Sequence, residues 1–319
     1  MAAISSAVYK VSDYVRRSAE PTYHEMIYQE HLSIINLPIV DTCVNFFLPC
    51  NKNKNRSPDY PCWDISRVVL KSHSSNYINA NYVAGFDMSA KFIATQEPMP
   101  GTLNDFWRMI WQDNSRVIVM LNGTKKQSEP RSFQYFAPTK DNTLINEFII
   151  KEERVKHYSH YTKTTLKLTQ IKTGEARLIH HFMYLDWPED QTPDVKLFVD
   201  FLMAVNRKDQ AYFRKVLQNN QLLPGPIVVH GEKGVGRTAA YCVADICLYQ
   251  IAHTASISVP STVIKVRQQR RFSLQAFNHY VFVNNLVLYF LVTLRSNIET
   301  CMELRSHLTK SDVEMLFRS

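Results

Sequence analysis

Residues 226–250 read PIVVHGEKGVGRTAAYCVADICLYQ. Ile227, Val228 and Val229 form a short apolar, β-branched run that predicts a buried strand. Gly231, Gly234 and Gly236 then break the pattern. From Thr238 onward apolar side chains recur at helical spacing (Ala239, Ala240, Val243, Ile246, Cys247), which predicts a helix beginning near Arg237. A strand, a glycine-rich turn and a helix make an anion cradle. Glycines let backbone N–H groups converge on one point, and the helix N-terminus adds partial positive charge. Arg237 stands at that N-terminus with a planar fork suited to two phosphate oxygens. The expected ligand is phosphate-like.

Two known families carry such a cradle. Gly231 to Thr238 resembles the nucleotide-binding P-loop, G-x-x-x-x-G-K-[ST], except that Arg237 replaces the lysine. Phe182 to Leu185 followed by Asp186 is similar to the magnesium-holding strand of those proteins, but it precedes the loop, against their usual order. The same stretch resembles the tyrosine-specific protein phosphatases, whose signature is H-C-x-x-G-x-G-R-[ST]. His230, Gly234, Gly236, Arg237 and Thr238 match it in register, and Gly231 stands where that family has its nucleophilic cysteine.

The chain has 319 residues, is 45% hydrophobic and contains 17 Phe and 16 Tyr, enough for a sizeable packed core. With only 8 Gly it does not read as a β-rich repeat or low-complexity protein. The N-terminal MAAISSAVYKVSDYVRR holds no apolar run suited to a signal peptide. Val281 to Leu294 is broken by Asn284-Asn285 and is too short to span a membrane, so it reads as a core helix. The six cysteines (43, 50, 62, 242, 247 and 301) include no C-x-x-C pair, and a reducing cytoplasmic or nuclear compartment is expected. The formal net charge of +8 favours acidic partners, though on charge alone scattered solubilising lysines are the better reading.

Residues 1–20 are polar and weakly patterned and predict a loose arm. Tyr23 to Asn36 has amphipathic spacing and predicts the first helix, and Asn51 to Arg56 predicts a polar, basic loop. Here the phosphatase resemblance continues. Lys54-Asn55-Arg56-Ser57 is similar to the family's K-N-R-Y, with Asp64 and Arg67-Val68-Val69-Leu70 after it; the resemblance implies loss of a ring that stacks on phosphotyrosine, since Ser57 cannot stack. Tyr77 to Tyr82 resembles D-Y-I-N-A-N-Y/F, and Phe92 to Pro98 resembles F-I-A-T-Q-G-P with Glu97 for glycine. Leu103, Phe106, Trp107, Ile110 and Trp111 share one helical face, a core stripe that is also the family's D-F-W-x-M-I/V-W. Arg116 to Leu121 predicts a central strand, and Gln134-Tyr135-Phe136 echoes Q-Y-W.

From Asn146 to Leu185 the patterning is β. His180 and His181, with His157 and His160, lack metal-ligand spacing and are expected on a solvated strand face. Trp187-Pro188-Glu189-Asp190-Gln191-Thr192-Pro193 resembles the family's mobile W-P-D-x-G-x-P loop; the resemblance places Glu189 at the general acid, one methylene longer than aspartate. Asp194 to Asn206 predicts a helix with its N-cap near Asp194. Val263 to Arg271 reads as helical and basic. Gln275 to Tyr280 resembles Q-T-x-x-Q-Y with His279 for the second glutamine, and Phe272 falls where the family has a small residue at the pocket mouth.

The resemblance covers Tyr23 to Leu294. It implies an α/β fold, one domain over residues 21–296 with a twisted mixed sheet flanked by helices, an arm over 1–20 and a helical tail over 297–319. It implies phosphate binding by Gly234, Val235, Gly236, Arg237, Thr238 and Gln275, and no functional catalytic set, because Gly231, Glu189 and His279 depart from the pattern. The compact form looks like the tyrosine-phosphatase-like proteins of polydnaviruses (bracoviruses), which implies the host-cell cytoplasm. The expected function is a pseudophosphatase that shields phosphotyrosine-containing proteins, with no cofactor, metal, nucleic acid or membrane span. The alternatives are a fold-only interaction module with a vestigial pocket, or a residual phosphatase.

Overall fold

The structure is a computed structural model that describes residues 7–71, 75–87, 89–121, 135–136, 143–188, 191–219 and 222–296. The chain opens with β1 (Tyr9–Lys10), α1 (Val11–Ser18), α2 (Tyr23–Ile35) and α3 (Val44–Phe47). Strands β2 (Arg67–Val69), β3 (Tyr77–Val83) and β4 (Phe92–Gln96) lead into α4 (Leu103–Gln112) and β5 (Val117–Met120). A meander follows: β6 (Thr143–Ile145), β7 (Phe148–His157), β8 (Tyr161–Gln170) and β9 (Ala176–Tyr184). Then come α5 (Val195–Gln218), β10 (Ile227–Gly231), α6 (Arg237–Thr254), β11 (Ser256–Ile257), α7 (Val259–Gln269) and α8 (Phe277–Ser296).

Among the described residues nine strands form one sheet in the order β2-β3-β4-β10-β5-β9-β8-β7-β6. The centre is parallel: β10 runs alongside β4 and β5, and β5 alongside β9. The flanks are antiparallel. A strand buried on both faces needs apolar residues without alternation, and β10 has them. Ile227 and Val229 enter the core on the side of α5, α6 and α8, while Val228 enters the core on the side of α4. Strand β5 divides the same way, Val117 and Val119 against Ile118 and Met120. This is the mixed, helix-flanked α/β sheet that the sequence predicts. Ligand sites in such sheets lie beyond strand C-terminal ends, and the Gly231 end of β10 opens directly into the glycine-rich turn.

The arm differs from expectation. Residues 9–18 are ordered because β1 pairs with β11, Tyr9 opposite Ile257, and because α1 buries Tyr14, whose hydroxyl donates to Asn284 Oδ1 at 2.7 Å. Val11, Tyr14 and Val15 share one face of this two-turn helix, a signal too short to stand out among polar neighbours. Helix α5 begins where predicted, with Asp194 Oδ1 accepting from the Leu197 N–H at 2.9 Å, but continues well past Asn206 to Gln218. Its second half buries Val216 and is otherwise largely polar, so apolar periodicity fades there. Lys54 and its neighbours form a 3₁₀ turn, Pro49–Lys54, rather than an irregular loop. His180 and His181 are buried, not solvated. The expected tail, 297–319, lies outside the described residues.

Candidate phosphate-binding site

The turn from β10 to α6 is shaped by what surrounds it. Gly234 has φ +71°, and a Cβ there would lie 2.4 Å from the Thr95 carbonyl oxygen, so no other residue fits without displacement. Each carbonyl along the turn is held from outside. Glu232 O accepts from Glu97 N at 3.2 Å, and Val235 O from Leu274 N at 3.1 Å. Gly234 O and Lys233 O accept from the Arg270 guanidinium at 3.2 and 3.4 Å. In a trans peptide the carbonyl and the following N–H point in opposite directions. The N–H groups of Lys233, Gly234, Val235 and Gly236 therefore face away from these partners, toward the turn's interior. Gly236 is the N-cap of α6 and offers no side-chain cap, so the first helical N–H groups add to the same donor set.

Arg270 is the buried organiser. It is 1% exposed, burial lowers its pKa, and its acceptors are neutral: besides the two carbonyls it donates to Asn79 Oδ1 at 2.7 Å and Asn81 Oδ1 at 2.9 Å. The sequence places Arg270 at the end of a basic helix and gives no sign of this role. Its acceptors come from β3 and from the turn itself, and only the fold joins them.

Arg237 sits at the first position of α6. Its guanidinium donates to Pro188 O at 3.0 Å and Leu121 O at 3.3 Å and lies 5.6 Å from the Trp187 ring centroid. The fork is thus oriented by the loop after β9 and the end of β5. Thr238 is fully buried, and its Oγ1 has no hydrogen-bond partner among the described residues. His279 packs against Gly236, where a Cβ would come 2.8 Å from His279 Cε1, and against Trp187, with ring centroids 5.9 Å apart. Burial, then Arg237, lowers the His279 pKa to about 4, so this imidazole is neutral at physiological pH. Its Nδ1 is buried without a partner among the described residues. Gln275 is exposed, and its Oε1 accepts from Arg267 Nη1 at 3.1 Å. Glu189 lies outside the described residues.

Two further groups brace the cradle. Tyr135 Oη stands 2.6 Å from His181 Nε2 and 2.8 Å from His230 Nε2, on the residue preceding Gly231. A hydroxyl donates once, so it gives its proton to one ring and accepts from the other. Burial lowers His181 to about 3 and His230 well below its ordinary value, so both rings are neutral. Gln96 fixes the turn at residues 54–56, accepting from Arg56 N at 3.0 Å and donating to Lys54 O at 2.8 Å. Arg56 pairs with the buried Glu97 carboxylate at 3.3 Å, so Glu97 brings no unpaired negative charge to the cradle. Ser57 caps a local turn through Asp59 at 3.2 Å, and the aromatic pair beside the cradle is Tyr60 with Phe272, edge to face at 6.3 Å. Lys233 Nζ lies 5.2 Å from the Tyr60 ring.

These features suit a tetrahedral oxyanion: convergent N–H groups, a helix N-terminus, an oriented guanidinium and neutral imidazoles. A family model described as protein-tyrosine phosphatase matches residues 51–289. The chain belongs to the protein-tyrosine phosphatase family. Among its relatives, tyrosine phosphatase-like protein J1 of Microplitis demolitor bracovirus is 35% identical over 285 residues, covering 88% of this chain and 95% of the relative. Probable tyrosine phosphatase protein N1 of the same virus is 36% identical over 307 residues, covering 92% of this chain and 95% of that one. Human tyrosine-protein phosphatase non-receptor type 9 is 34% identical over 272 residues, 83% of this chain but 46% of its own length. Among the described residues no helix is long and apolar enough to cross a membrane, and no group of three or more His, Cys, Asp or Glu is placed to hold a metal.

Proposed function

We propose that this phosphatase-family chain is a pseudophosphatase that binds phosphotyrosine proteins, in the cytoplasm of a host cell, and interferes with signalling by shielding the phosphate rather than hydrolysing it. One observation carries the reading: residue 231, at the head of the cradle, is glycine. Family chemistry needs a thiolate at a helix N-terminus to attack phosphorus. Removing a catalytic nucleophile in a comparable system costs roughly a factor of a million. The buried cysteines elsewhere offer no substitute, since burial raises the thiol pKa of Cys43, of Cys62 to about 11 and of Cys247 to about 12, and raises Cys242 further. Meanwhile the cradle carbonyls, Arg270 and Arg237 are arranged by contacts that need no thiol.

The test has two parts. Para-nitrophenyl phosphate and phosphotyrosyl peptides should show no turnover above buffer, whereas tungstate should raise the melting temperature, as any ligand selective for the native state does. Arg237→Lys should weaken phosphopeptide binding about tenfold or more, because it loses a two-pronged charged contact. Turnover that disappears in Arg237→Ala would sink the reading. Failure of both tungstate and phosphopeptide to bind would leave the fold-only alternative.

A further inference from the structure

Outside the cradle, β7 and β8 set Lys156 directly opposite Lys163, and Lys151 opposite Lys167. Opposed side chains in an antiparallel pair are neighbours, and like charges there destabilise the sheet. Lys151 is relieved by Glu153 at 3.7 Å. Lys156 and Lys163 form no ion pair among the described residues. Lys163 is half-buried, with its ammonium 5.1 Å from the Phe182 ring centroid, so it lies against β9 rather than extending freely into water. Arg154, two residues before Lys156 on β7 and opposite Thr165, extends the basic set on the same strand pair. Burial, then Lys208, Lys156 and Arg154, lowers the Lys163 pKa to about 8, and no carboxylate acts on it in the opposite direction. Lys215 continues the set, one of the causes that lower Lys208.

A fold that opposes ammonium groups across a strand pair and partly buries one of them gives up stability locally, and an anion bound there would offset that cost. Three features define that ligand. The cations are gathered within a few residues of one half-buried lysine on two paired strands, so the ligand is compact. Their number exceeds what one phosphate group, at about −2, would neutralise. The ring beneath Lys163, Phe182, is buried and carries the ammonium over its face rather than offering it to a ligand. We propose that the basic corner of the β7/β8 pair formed by Lys156, Lys163 and Arg154 binds a compact polyanion bearing several phosphate groups, an inositol polyphosphate either free or as a lipid headgroup. The site shares no residue with the cradle.

Inositol hexakisphosphate titrated into the full chain by calorimetry at about 0.1 M salt tests it. Lys163→Gln with Lys156→Gln should bind about tenfold more weakly or worse, while Arg237→Ala binds like the parent. The double variant without ligand should melt at the same or a higher temperature, because repulsion has been relieved. A purely structural role for these lysines would lower it. Should the double variant fail to fold, the exposed Lys156→Gln takes its place, with a smaller loss expected. Phosphatidylcholine vesicles with and without phosphatidylinositol bisphosphate distinguish the sources: co-sedimentation lost in the lysine variants assigns a lipid headgroup, and binding of the free compound alone assigns a soluble one. The proposal is overturned if the parent does not bind, if the lysine variants bind equally, if Arg237→Ala abolishes binding, or if a single-stranded oligonucleotide at equal phosphate concentration displaces the ligand.

Discussion

Three glycine-to-alanine changes separate the forces that shape the cradle. Gly101, in the turn before α4, has no positive φ, and an alanine Cβ there would meet no neighbour within 4 Å. Alanine at that position acts on the unfolded chain alone and should stabilise by ~0.4–1 kcal/mol. Gly174, between β8 and β9, has φ +69° and equally open space. Alanine there bears the left-handed backbone cost, ~1–2 kcal/mol, less the same unfolded-state gain. Gly234 has nearly the same φ, +71°, but its Cβ would meet Thr95 O at 2.4 Å, Thr95 C at 2.5 Å and Gln96 N at 2.7 Å. These are backbone atoms of a central strand, and ordinary contact begins near 3.4 Å, so the turn must move by about an ångström relative to β4. Overpacking of that kind adds ~1–3 kcal/mol. Gly234→Ala should therefore lose ~2–4 kcal/mol in urea unfolding followed by tryptophan fluorescence, and its tungstate-induced rise in melting temperature should vanish. A Gly234→Ala loss within about 0.5 kcal/mol of the Gly174→Ala loss, with the tungstate response kept, would refute the claim that β4 sets the shape of the cradle.

Gly231→Cys should form a phosphocysteine that mass spectrometry detects after quenching with a phosphotyrosyl peptide, since the donors that would hold the phosphoryl group are present; no adduct at any pH would mean that the turn does not bind phosphate. Acid should weaken the fold through buried His181, whose pKa is lowered to about 3. Above pH ~6.5 this ring is neutral in both folded and unfolded chains and its contribution is whole; as pH falls from there toward 3 only the unfolded chain takes up the proton, which removes about 1.4 kcal/mol per pH unit. His181→Gln, whose amide can accept from or donate to Tyr135, should show a correspondingly shallower loss of urea midpoint between about pH 6 and 4.5, and an equal slope in both proteins would contradict the assignment.

The parts of the molecule legible in the sequence are those whose cause is local. Ile227 to Val229 announce a doubly buried strand by composition, Gly234 announces a special backbone by lacking a Cβ, and Phe106, Trp107 and Ile110 announce the buried face of α4 by spacing. What escaped has causes distant in the chain. Arg270 reads as one more cation on a basic helix, yet its acceptors on Asn79 and Asn81 lie 191 and 189 residues away. His181 reads as a solvated strand residue, yet Tyr135, 46 residues earlier, takes it into the core. Side-chain polarity predicts exposure only when no partner waits inside, and partners are set by the fold. The Arg56 pair with Glu97 is of the same kind: a carboxylate in place of the family's glycine reads as a disturbance, and is balanced once its cation is in place.

The absence of a thiol has an electrostatic consequence as well as a chemical one. In a family cradle the nucleophile is a thiolate, a full negative charge against the same N–H groups that must receive the phosphate dianion. With Gly231 that charge is absent, while Arg237 stands at the start of α6 and His279 is held neutral. Two unit charges about 4 Å apart interact by between ~1 kcal/mol in water and ~4 kcal/mol near a protein surface. On the proposed reading, the missing thiolate should therefore strengthen dianion binding on that scale. Gly231→Cys makes this measurable. Below the pKa of the introduced thiol its tungstate affinity should match the parent's, and above it the affinity should fall roughly tenfold or more while the parent stays level. If both proteins follow the same pH profile, the introduced thiol either does not ionise or does not face the anion, and the cradle is not built around position 231.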